Sequence, residues 1–324
     1  MHNSCKIINT LKSSPGYVSG EAISRELNIS RAGIWKHIKE LRQEGYTIEA
    51  RPRRGYNLVA VPDKLYPAEI QFGLRTACLG RRIVHVEQAD STQQLALRLC
   101  LEGAQEGTLV CAESQTSGKG RLGRVWASPG GQGIYMSLIL RPSMPLTNLA
   151  PVTLLSAVAM CEAVRSMTDL KVQIKWPNDL LLNKKKIAGI LTELQAEMDH
   201  VKFVIVGMGL NVNTPARYLP EQATSLKQES KTKWSRLDLM KAILERYEHW
   251  YDNFKSQGAA PVLRRWRKYS STTGKQVTLS DQYGRVEGEA IDIDEWGGLI
   301  IRTATGVVVK RMSGDIVAEA LIKT

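Results

Sequence analysis

The chain has 324 residues, 43% of them hydrophobic, which is long enough for two or three domains and apolar enough for buried cores. It carries 44 Lys and Arg against 32 Asp and Glu, and the net charge of +12 suggests a polyanionic partner. The first 16 residues hold no apolar run typical of a secretory leader, and no apolar stretch reaches the length of a membrane span. These features argue against a secreted or membrane protein and predict a cytoplasmic one that makes no membrane contact.

The five cysteines are scattered, and no two of them have the spacing of a metal site or a redox pair. We therefore expect small buried hydrophobes in a reducing compartment and no metal site built from a protein cluster. They are Cys5, Cys78, Cys100, Cys111 and Cys161.

The N-terminal segment, residues 1–62, concentrates positive charge, with ten Lys and Arg against five Asp and Glu. Its apolar spacing predicts three helices, the second capped by Ser19 and the third, 31–44, capped by Ser30 and closed by Gly45. Three helices with a tight turn between the last two predict a helix-turn-helix.

A basic ribbon with the tip "RPRRG" follows the third helix and resembles the wing of a winged helix-turn-helix. The exposed face of the helix and this wing are typical of DNA binding, although a small helical domain with a solvated basic face is the alternative. The predicted DNA-contacting residues are Arg31, Lys36, His37, Lys39, Arg51, Arg53 and Arg54.

After a proline-containing linker at Val61–Pro67, the pattern changes to mixed α and β. A strand at 83–86 ends in "DST", where Ser91 or Thr92 would cap the next helix, and a strand at Thr108–Gln115 leads into a glycine-rich basic loop. Short connections between the later strands predict a mixed or antiparallel sheet and disfavour a doubly wound parallel one.

The glycine loop "GKGRLGR" lacks the ending of a P-loop, and "GMGLNV" lacks the third glycine of a dinucleotide fingerprint. Any nucleotide must therefore be held by a different device. Glycines that let backbone N–H groups approach an anion, alternating with cationic side chains, indicate an anion-binding loop that can move.

The last segment begins with an amphipathic helix and continues as short alternating strands separated by glycine turns, which predicts a small SH3-like β barrel. The predicted fold is therefore α+β, with a winged helix-turn-helix over 1–62, a central mixed-sheet domain over 68–270 and the barrel over 271–324.

Four segments in chain order, "DSTQ", "QTSGKGRLGRVW", "KWPNDLLLNKKKIAGIL" and "GMGLNVN", resemble the biotin–protein ligase family. With the N-terminal helix-turn-helix, the whole chain resembles the bifunctional biotin operon repressors and biotin ligases of bacteria. The resemblance implies a class II synthetase-like ligase domain that uses ATP and Mg²⁺ to convert biotin to biotinyl-5′-AMP. It then implies transfer of biotin to a lysine of a biotin carboxyl carrier domain in a biotin-dependent carboxylase. The adenylate would also act as corepressor, favouring a homodimer that binds operator DNA.

The same resemblance assigns residues. The resemblance implies catalytic roles for Lys186, Arg121 and Asp179, with Asp179 helping to hold Mg²⁺–ATP or orienting the incoming lysine. The implied biotin-binding residues are Ser91, Thr92, Gln93, Gln115, Gly118, Lys119, Gly120, Arg121, Trp126 and Lys186. The implied ATP-binding residues are Arg121, Arg124, Trp126, Lys175, Asn178, Asp179, Lys186 and Asn211.

One position departs from the family pattern, because Lys119 stands where an arginine is common and so lacks the guanidinium fork. Other interpretations remain open. Ser91 and Thr92 could act only as helix caps, and Asp179 could simply close a turn. A ligand-sensing repressor without catalysis and a lipoate ligase are the competing functions.

Overall fold

Three helices and a two-stranded ribbon make up most of the first of two compact units, which runs to Leu74 in the computed structural model. The structure describes residues 2–197 and 200–321. The elements of this unit are α1 (His2–Ser13), α2 (Gly20–Leu27), α3 (Arg31–Gln43), β1 (Thr47–Arg51), β2 (Gly55–Ala60) and α4 (Pro67–Gln71).

The helix caps predicted from the sequence are present. Ser19 Oγ accepts a hydrogen bond from Ala22 N, and Ser30 Oγ accepts one from Gly33 N. The helices bury one apolar stripe each, and the ribbon covers the resulting core of Ile7, Ile8, Leu11, Ile23, Ile34, Ile38, Leu41, Tyr46 and Ile48.

The first unit extends past residue 62, the boundary predicted from the sequence, because α4 is tied to the helices before it. Glu69 on α4 is 1% exposed and accepts a hydrogen bond from Tyr46 Oη at 2.9 Å. Lys12 of α1 pairs with the same carboxylate. A buried carboxylate is stable only when it has such partners. These two contacts therefore hold α4 against the helices that precede it.

The second unit is built on a seven-stranded sheet in the order β3-β4-β5-β9-β8-β7-β6. Only β3 and β4 pair in parallel, and every other neighbouring pair is antiparallel, which confirms the predicted mixed sheet. The strands are β3 (Arg82–Ala89), β4 (Thr108–Gln115), β5 (Ile134–Leu140), β6 (Gln173–Lys175), β7 (Asp179–Leu182), β8 (Lys185–Glu197) and β9 (His200–Leu210).

The helices of this unit cover the sheet. One of them, α6, is buried on nearly all sides, since it packs between the sheet and the two helices α8 and α9. The helical stretch Leu146–Thr168, which contains α6, is long and apolar enough to cross a membrane, but 78% of its apolar window is buried inside the fold, as in a core helix. The helices are α5 (Thr92–Leu101), α6 (Val152–Thr168), α7 (Leu226–Ser230), α8 (Arg236–Gln257) and α9 (Ala260–Tyr269).

The C-terminal strands form a five-stranded antiparallel sheet in the order β13-β12-β11-β10-β14. It is joined to the central domain through buried contacts, in which Trp176 Nε1 donates to Gly297 O at 3.0 Å and Lys175 Nζ donates to Ile316 O at 3.1 Å. The strands are β10 (Lys275–Asp281), β11 (Gly284–Ile293), β12 (Leu299–Arg302), β13 (Val308–Arg311) and β14 (Asp315–Leu321).

Candidate functional site

A cavity of about 260 Å³ lies over the central sheet, between the glycine loop, the start of α5 and the strands β7 to β9. The four motif segments of the sequence meet in its wall, although they are far apart along the chain. The site residues expected from the sequence that line it are Ser91, Thr92, Gln93, Gln115, Lys119, Gly120, Arg121, Arg124, Trp126, Asn178, Asp179, Lys186 and Asn211.

One end of the cavity is walled by uncharged polar groups that hydrogen-bond to one another. Gln115 Oε1 accepts from Thr92 N at 2.8 Å and from Thr92 Oγ1 at 3.3 Å. Ser137 Oγ lies 3.0 Å from Thr92 Oγ1 and 3.1 Å from Gln93 Oε1. Gln115 Nε2 donates to Ser128 Oγ at 2.7 Å. Because each buried group already has a partner, this end is fixed before any ligand arrives.

Ser91 begins the helix that presents these groups. Its hydroxyl accepts a hydrogen bond from Gln93 N, so it serves as the N-cap of α5, and it lines the cavity as well. The capping interpretation and the binding interpretation of Ser91 are therefore compatible.

Three glycines on β8 and β9 form the floor of the cavity and leave space above it. Gly189 lies directly opposite Gly209 in the sheet register. A Cβ at Gly209 would lie 2.5 Å from Trp126 Nε1, and one at Gly207 would lie 2.5 Å from Gln93 Oε1. Only glycine, which has no side chain, leaves room at position 209 for the Trp126 ring and at position 207 for the Gln93 amide. The glycines of "GMG" thus make space for side chains and do not form a dinucleotide loop.

Lys186 reaches the cavity from the start of β8. Its Nζ lies 2.6 Å from Asp179 Oδ1 on β7 and 5.5 Å from the Trp126 ring. A two-residue hairpin, with positive φ at Asn183 and Lys184, connects the two strands and leaves Lys184 exposed, as the sequence predicts. The register pairs Lys186 with Leu181, two residues along β7 from Asp179, so the side chains of Lys186 and Asp179 meet diagonally across the two strands.

The glycine loop is folded against the C-terminal sheet. A short 3₁₀ turn over Arg121–Gly123 directs the Arg121 guanidinium to Asn178 Oδ1 at 3.0 Å and Gly314 O at 3.2 Å. Asp315 at the start of β14 lies 3.4 Å from Arg121 Nη1 and also pairs with Arg124. One carboxylate of the C-terminal domain thus holds both arginines of the loop.

Apart from Asp179 Oδ1, which is ion-paired with Lys186, two buried polar atoms in the described cavity wall lack a hydrogen-bond partner. They are Trp126 Nε1, a donor, and Asn211 Oδ1, an acceptor on a side chain that is 1% exposed. Because an unpaired buried polar atom is costly, both are suited to a ligand that supplies the missing partner.

Two expected residues do not line the cavity. Gly118 lies at the base of the loop, where its carbonyl accepts from Trp126 N at 2.7 Å and a Cβ would lie 2.5 Å from Trp126 O. Lys175 is turned to the C-terminal sheet, where it donates to Ile316 O. Gly118 therefore shapes the loop, and Lys175 ties the two domains together.

Two residues that matter to the site were missed by sequence reasoning: Asp315, which lines the cavity, and Ser137, which lies behind its wall and hydrogen-bonds to Thr92. Asp315 stands alone in "SGDI", and no local pattern connects it with a loop almost 200 residues earlier. Ser137 did carry a signal, since it is the one polar residue in the apolar strand "IYMSLIL" and is fully buried there. A buried hydroxyl in an apolar strand indicates a hydrogen-bonding role.

The cysteines stay outside the site. Burial raises the pKa of Cys161 to about 12 and that of Cys100 to about 11, so these thiols are neutral near pH 7. Among residues 2–197 and 200–321, no group of three or more His, Cys, Asp or Glu side chains could hold a metal ion.

The first unit carries a separate basic surface. Arg31, Lys36 and Lys39 are exposed on α3. In the wing, Arg51 and Arg54 lie over the Tyr17 ring, with guanidinium carbons 5.1 and 4.7 Å from its centroid. Arg53, at the tip between β1 and β2, is exposed with a positive φ of 60°.

His37 is less exposed than the other residues predicted to contact DNA. Its Nδ1 lies 3.1 Å from Ser4 Oγ on α1 and 3.1 Å from Glu40 Oε2, and the side chain is 22% exposed. The ring is therefore turned toward α1 and away from the open face of α3, because position 37 borders the buried stripe of that helix.

Comparison with known proteins agrees with this arrangement. Residues 85–211 match the biotin/lipoate A/B protein ligase family, residues 5–57 match an HTH domain and residues 272–318 match the biotin protein ligase C-terminal domain.

The bifunctional ligase/repressor BirA of Bacillus spizizenii is 43% identical over 304 residues, covering 93% of both chains. The BirA of Escherichia coli is 31% identical over 300 residues, covering 92% of both. The solved biotin protein ligase from Aquifex aeolicus in complex with biotin and ATP superposes with a TM-score of 0.65 at 30% identity, covering 74% of this chain and 99% of that one. This chain therefore belongs to the biotin–protein ligase family, among the bifunctional ligase/repressors that carry an N-terminal HTH domain.

Proposed function

We propose that this chain condenses biotin with ATP to give biotinyl-5′-AMP and pyrophosphate, and then transfers biotin to a lysine of a biotin carboxyl carrier domain. The observation that carries the proposal is the division of one cavity into an uncharged hydrogen-bonding end and an end with several cations. This division matches a substrate with a neutral ureido ring at one end and a carboxylate at the other.

The biotin ring system binds at the uncharged end of the cavity. Hydroxyl and amide groups of Thr92, Gln93 and Gln115 offer both donors and acceptors, as a ureido group requires. Trp126 provides a flat aromatic surface above the glycine floor, on which the fused rings can pack.

The charged end brings the biotin carboxylate to the α-phosphate, two groups that repel each other. Lys186, Arg121 and Arg124 offset this repulsion, and their present carboxylate partners hold them in place until the anions replace those partners. The carboxylate oxygen then attacks the α-phosphorus and pyrophosphate leaves. Lys186, a compact cation, contacts the carboxylate and the phosphate as charge shifts between them.

The adenine would lie near Asn211, whose unpaired Oδ1 can accept from the exocyclic amino group. Mg²⁺ would enter as the complex of the triphosphate, and its chemistry is to neutralise the leaving pyrophosphate. The only carboxylates in the described cavity wall are those of Asp179 and Asp315, and Asp179 lies nearer Lys186. An oxygen-donor carboxylate is a ligand that Mg²⁺ prefers, so Asp179 fits the role of a contact to the metal complex.

In the transfer step, the acceptor lysine amine attacks the carbonyl carbon of the adenylate and AMP leaves. Once Lys186 has moved to the phosphate, the Asp179 carboxylate is available to accept a hydrogen bond from the incoming amine. Asp179 would thus orient the nucleophile, and no covalent bond to the enzyme forms.

The test is direct. The protein is mixed with biotin, ATP and Mg²⁺, and mass spectrometry follows biotinyl-5′-AMP, with lipoate in a parallel reaction. We expect the biotinyl adenylate alone. Formation of lipoyl adenylate instead would identify a lipoate ligase, and the absence of any adenylate would indicate a repressor that only senses its ligand.

The basic unit supports the second half of the function, repression at operator DNA in the cytoplasm with biotinyl-5′-AMP as corepressor. We propose that the adenylate-bound chain forms a homodimer, because dimeric helix-turn-helix proteins match the two half-sites of an operator. Sedimentation with and without the adenylate tests the dimer, and a sedimentation coefficient unchanged by the adenylate would contradict it.

A further inference from the structure

The recognition helix α3 carries a tryptophan on its open face. Trp35 is 60% exposed, the most exposed of the tryptophans in the described chain. Its neighbours Ile34 and Ile38 enter the core of the unit, whereas Trp35 contributes nothing to that core. A large apolar ring left in water on a helix of this kind suggests a contact that forms only with a partner.

The surroundings of Trp35 identify the class of partner. Arg31, Lys36 and Lys39 are exposed on the same helix, and Lys39 Nζ lies 5.6 Å from the Trp35 ring. An apolar ring among cations is poorly placed to meet the same face of a second copy, because the like charges would repel. It is well placed to meet a polyanion whose charged backbone surrounds a less polar surface, which describes duplex DNA.

The position of Trp35 along α3 favours a base over a phosphate. It is the fifth residue of the helix, within the N-terminal half that reaches base edges in helix-turn-helix complexes. Lysine and arginine serve the phosphates, whereas the indole offers an extended apolar surface. In the major groove the apolar feature of a base pair is the C5-methyl group of thymine.

We propose that Trp35 determines operator specificity by packing its ring against a thymine C5-methyl group in the major groove. The proposal rests on the operator binding proposed above. Arg31, Lys36 and the wing arginines supply affinity for the backbone, and Trp35 selects the base pair.

The experiment measures the contribution of the thymine C5-methyl group apart from the other contacts to DNA. The full-length protein, with biotin, ATP and Mg²⁺, selects its sites from a random duplex library. Each thymine of the selected site is then replaced by uracil, which removes only the C5-methyl group. Binding of the wild type, Trp35→Ala, Trp35→Phe and the control Lys36→Ala is measured at several salt concentrations.

We expect a single uracil, at one position of one half-site, to weaken wild-type binding about fivefold, near the lower end of the effect of one mismatched pair. Trp35→Ala, which loses the contact in both half-sites of the dimer, should bind the thymine site roughly 25-fold more weakly, should be indifferent to that uracil, and should keep the wild-type salt slope. Trp35→Phe should retain part of the preference. Lys36→Ala should stay sensitive to uracil while its salt slope falls by about two, one for each subunit of the dimer.

Equal binding by Trp35→Ala and wild type, or sensitivity of Trp35→Ala to the same uracil, would overturn the proposal. Failure of the wild type to select any site would overturn the operator function itself, and the proposal with it. Circular dichroism confirms that each variant is folded, and adenylate formation confirms that the corepressor is still made, since Trp35 does not line the ligase cavity.

Discussion

The two ends of the ligase cavity differ in how their polar groups are satisfied. Around Thr92 and Gln115 the groups bond to one another through neutral hydrogen bonds of 2.8 to 3.3 Å. Around Lys186 and Arg121 each cation is paired with a carboxylate, Asp179 or Asp315. A site for a neutral group can therefore be completed before the ligand binds, whereas a site for anions holds its cations with carboxylates that the ligand displaces.

The strongest test of the charged end is Lys186→Met, which keeps the length of the side chain and removes the charge. We expect adenylate formation to fall roughly 100-fold or more, the effect of losing one donor to a developing negative charge. A rapid-quench assay with labelled ATP measures it. Lys184→Met, in the exposed hairpin turn, is the matched control and should behave as wild type. A Lys186→Met rate within threefold of wild type would remove this lysine from the chemistry.

The glycine floor links the two ends, and Gly209→Ala should disturb it. The added Cβ would lie 2.5 Å from Trp126 Nε1, so the ring must move. We expect biotin affinity to fall roughly 5- to 150-fold, since overpacking costs about 1–3 kcal/mol. Gly130→Ala is the control, because its Cβ would make only an ordinary 3.8 Å contact with Ser114. Calorimetry measures the biotin affinity of both variants. Equal affinities would show that biotin binding does not depend on the present position of the Trp126 ring.

At the neutral end, Thr92→Val removes the hydroxyl while keeping the shape. It leaves Ser137 Oγ and Gln115 Oε1 with one partner fewer, which costs about 1–2 kcal/mol, or roughly a 5- to 30-fold rise in the Kd for biotin. The KM for ATP should stay the same. If biotin bound normally and ATP weakly, the assignment of the two ends would be reversed.

The smallest expected effect belongs to Asp315→Asn. This change keeps a hydrogen-bond acceptor for Arg121 and Arg124 but removes the negative charge that competes with phosphate. We expect the KM for ATP to fall about two- to fivefold, in keeping with the modest energy of partly exposed ion pairs. Steady-state kinetics measures it, and a rise in KM would mean that Asp315 positions the arginines for ATP and does not compete with it.

Much of this site could be anticipated from the sequence because its motifs are local. Caps such as Ser19 and Ser30 depend on neighbouring residues, and Lys186 and Arg121 lie in short segments that resemble the family. The mixed sheet followed from short connections between strands.

The remaining features depend on contacts across the fold. Asp315 meets Arg121 only after the C-terminal sheet has packed on the central domain, and no pattern around position 315 encodes that. His37 lies at a position where the sequence predicts a DNA contact, but its ring hydrogen-bonds to Ser4 on another helix. Lys175, predicted to bind ATP, points to the C-terminal sheet for the same reason.

The most direct measurement compares the binding of biotin and biotin methyl ester to the wild type, Lys186→Met and Thr92→Val. The ester keeps the ring system and lacks the carboxylate charge. The division of the cavity predicts that the wild type prefers the acid, that Lys186→Met loses this preference, and that Thr92→Val weakens both ligands equally while keeping it. A preference for the acid that survives in Lys186→Met, or disappears in Thr92→Val, would contradict the division of the cavity into a neutral and an anionic end.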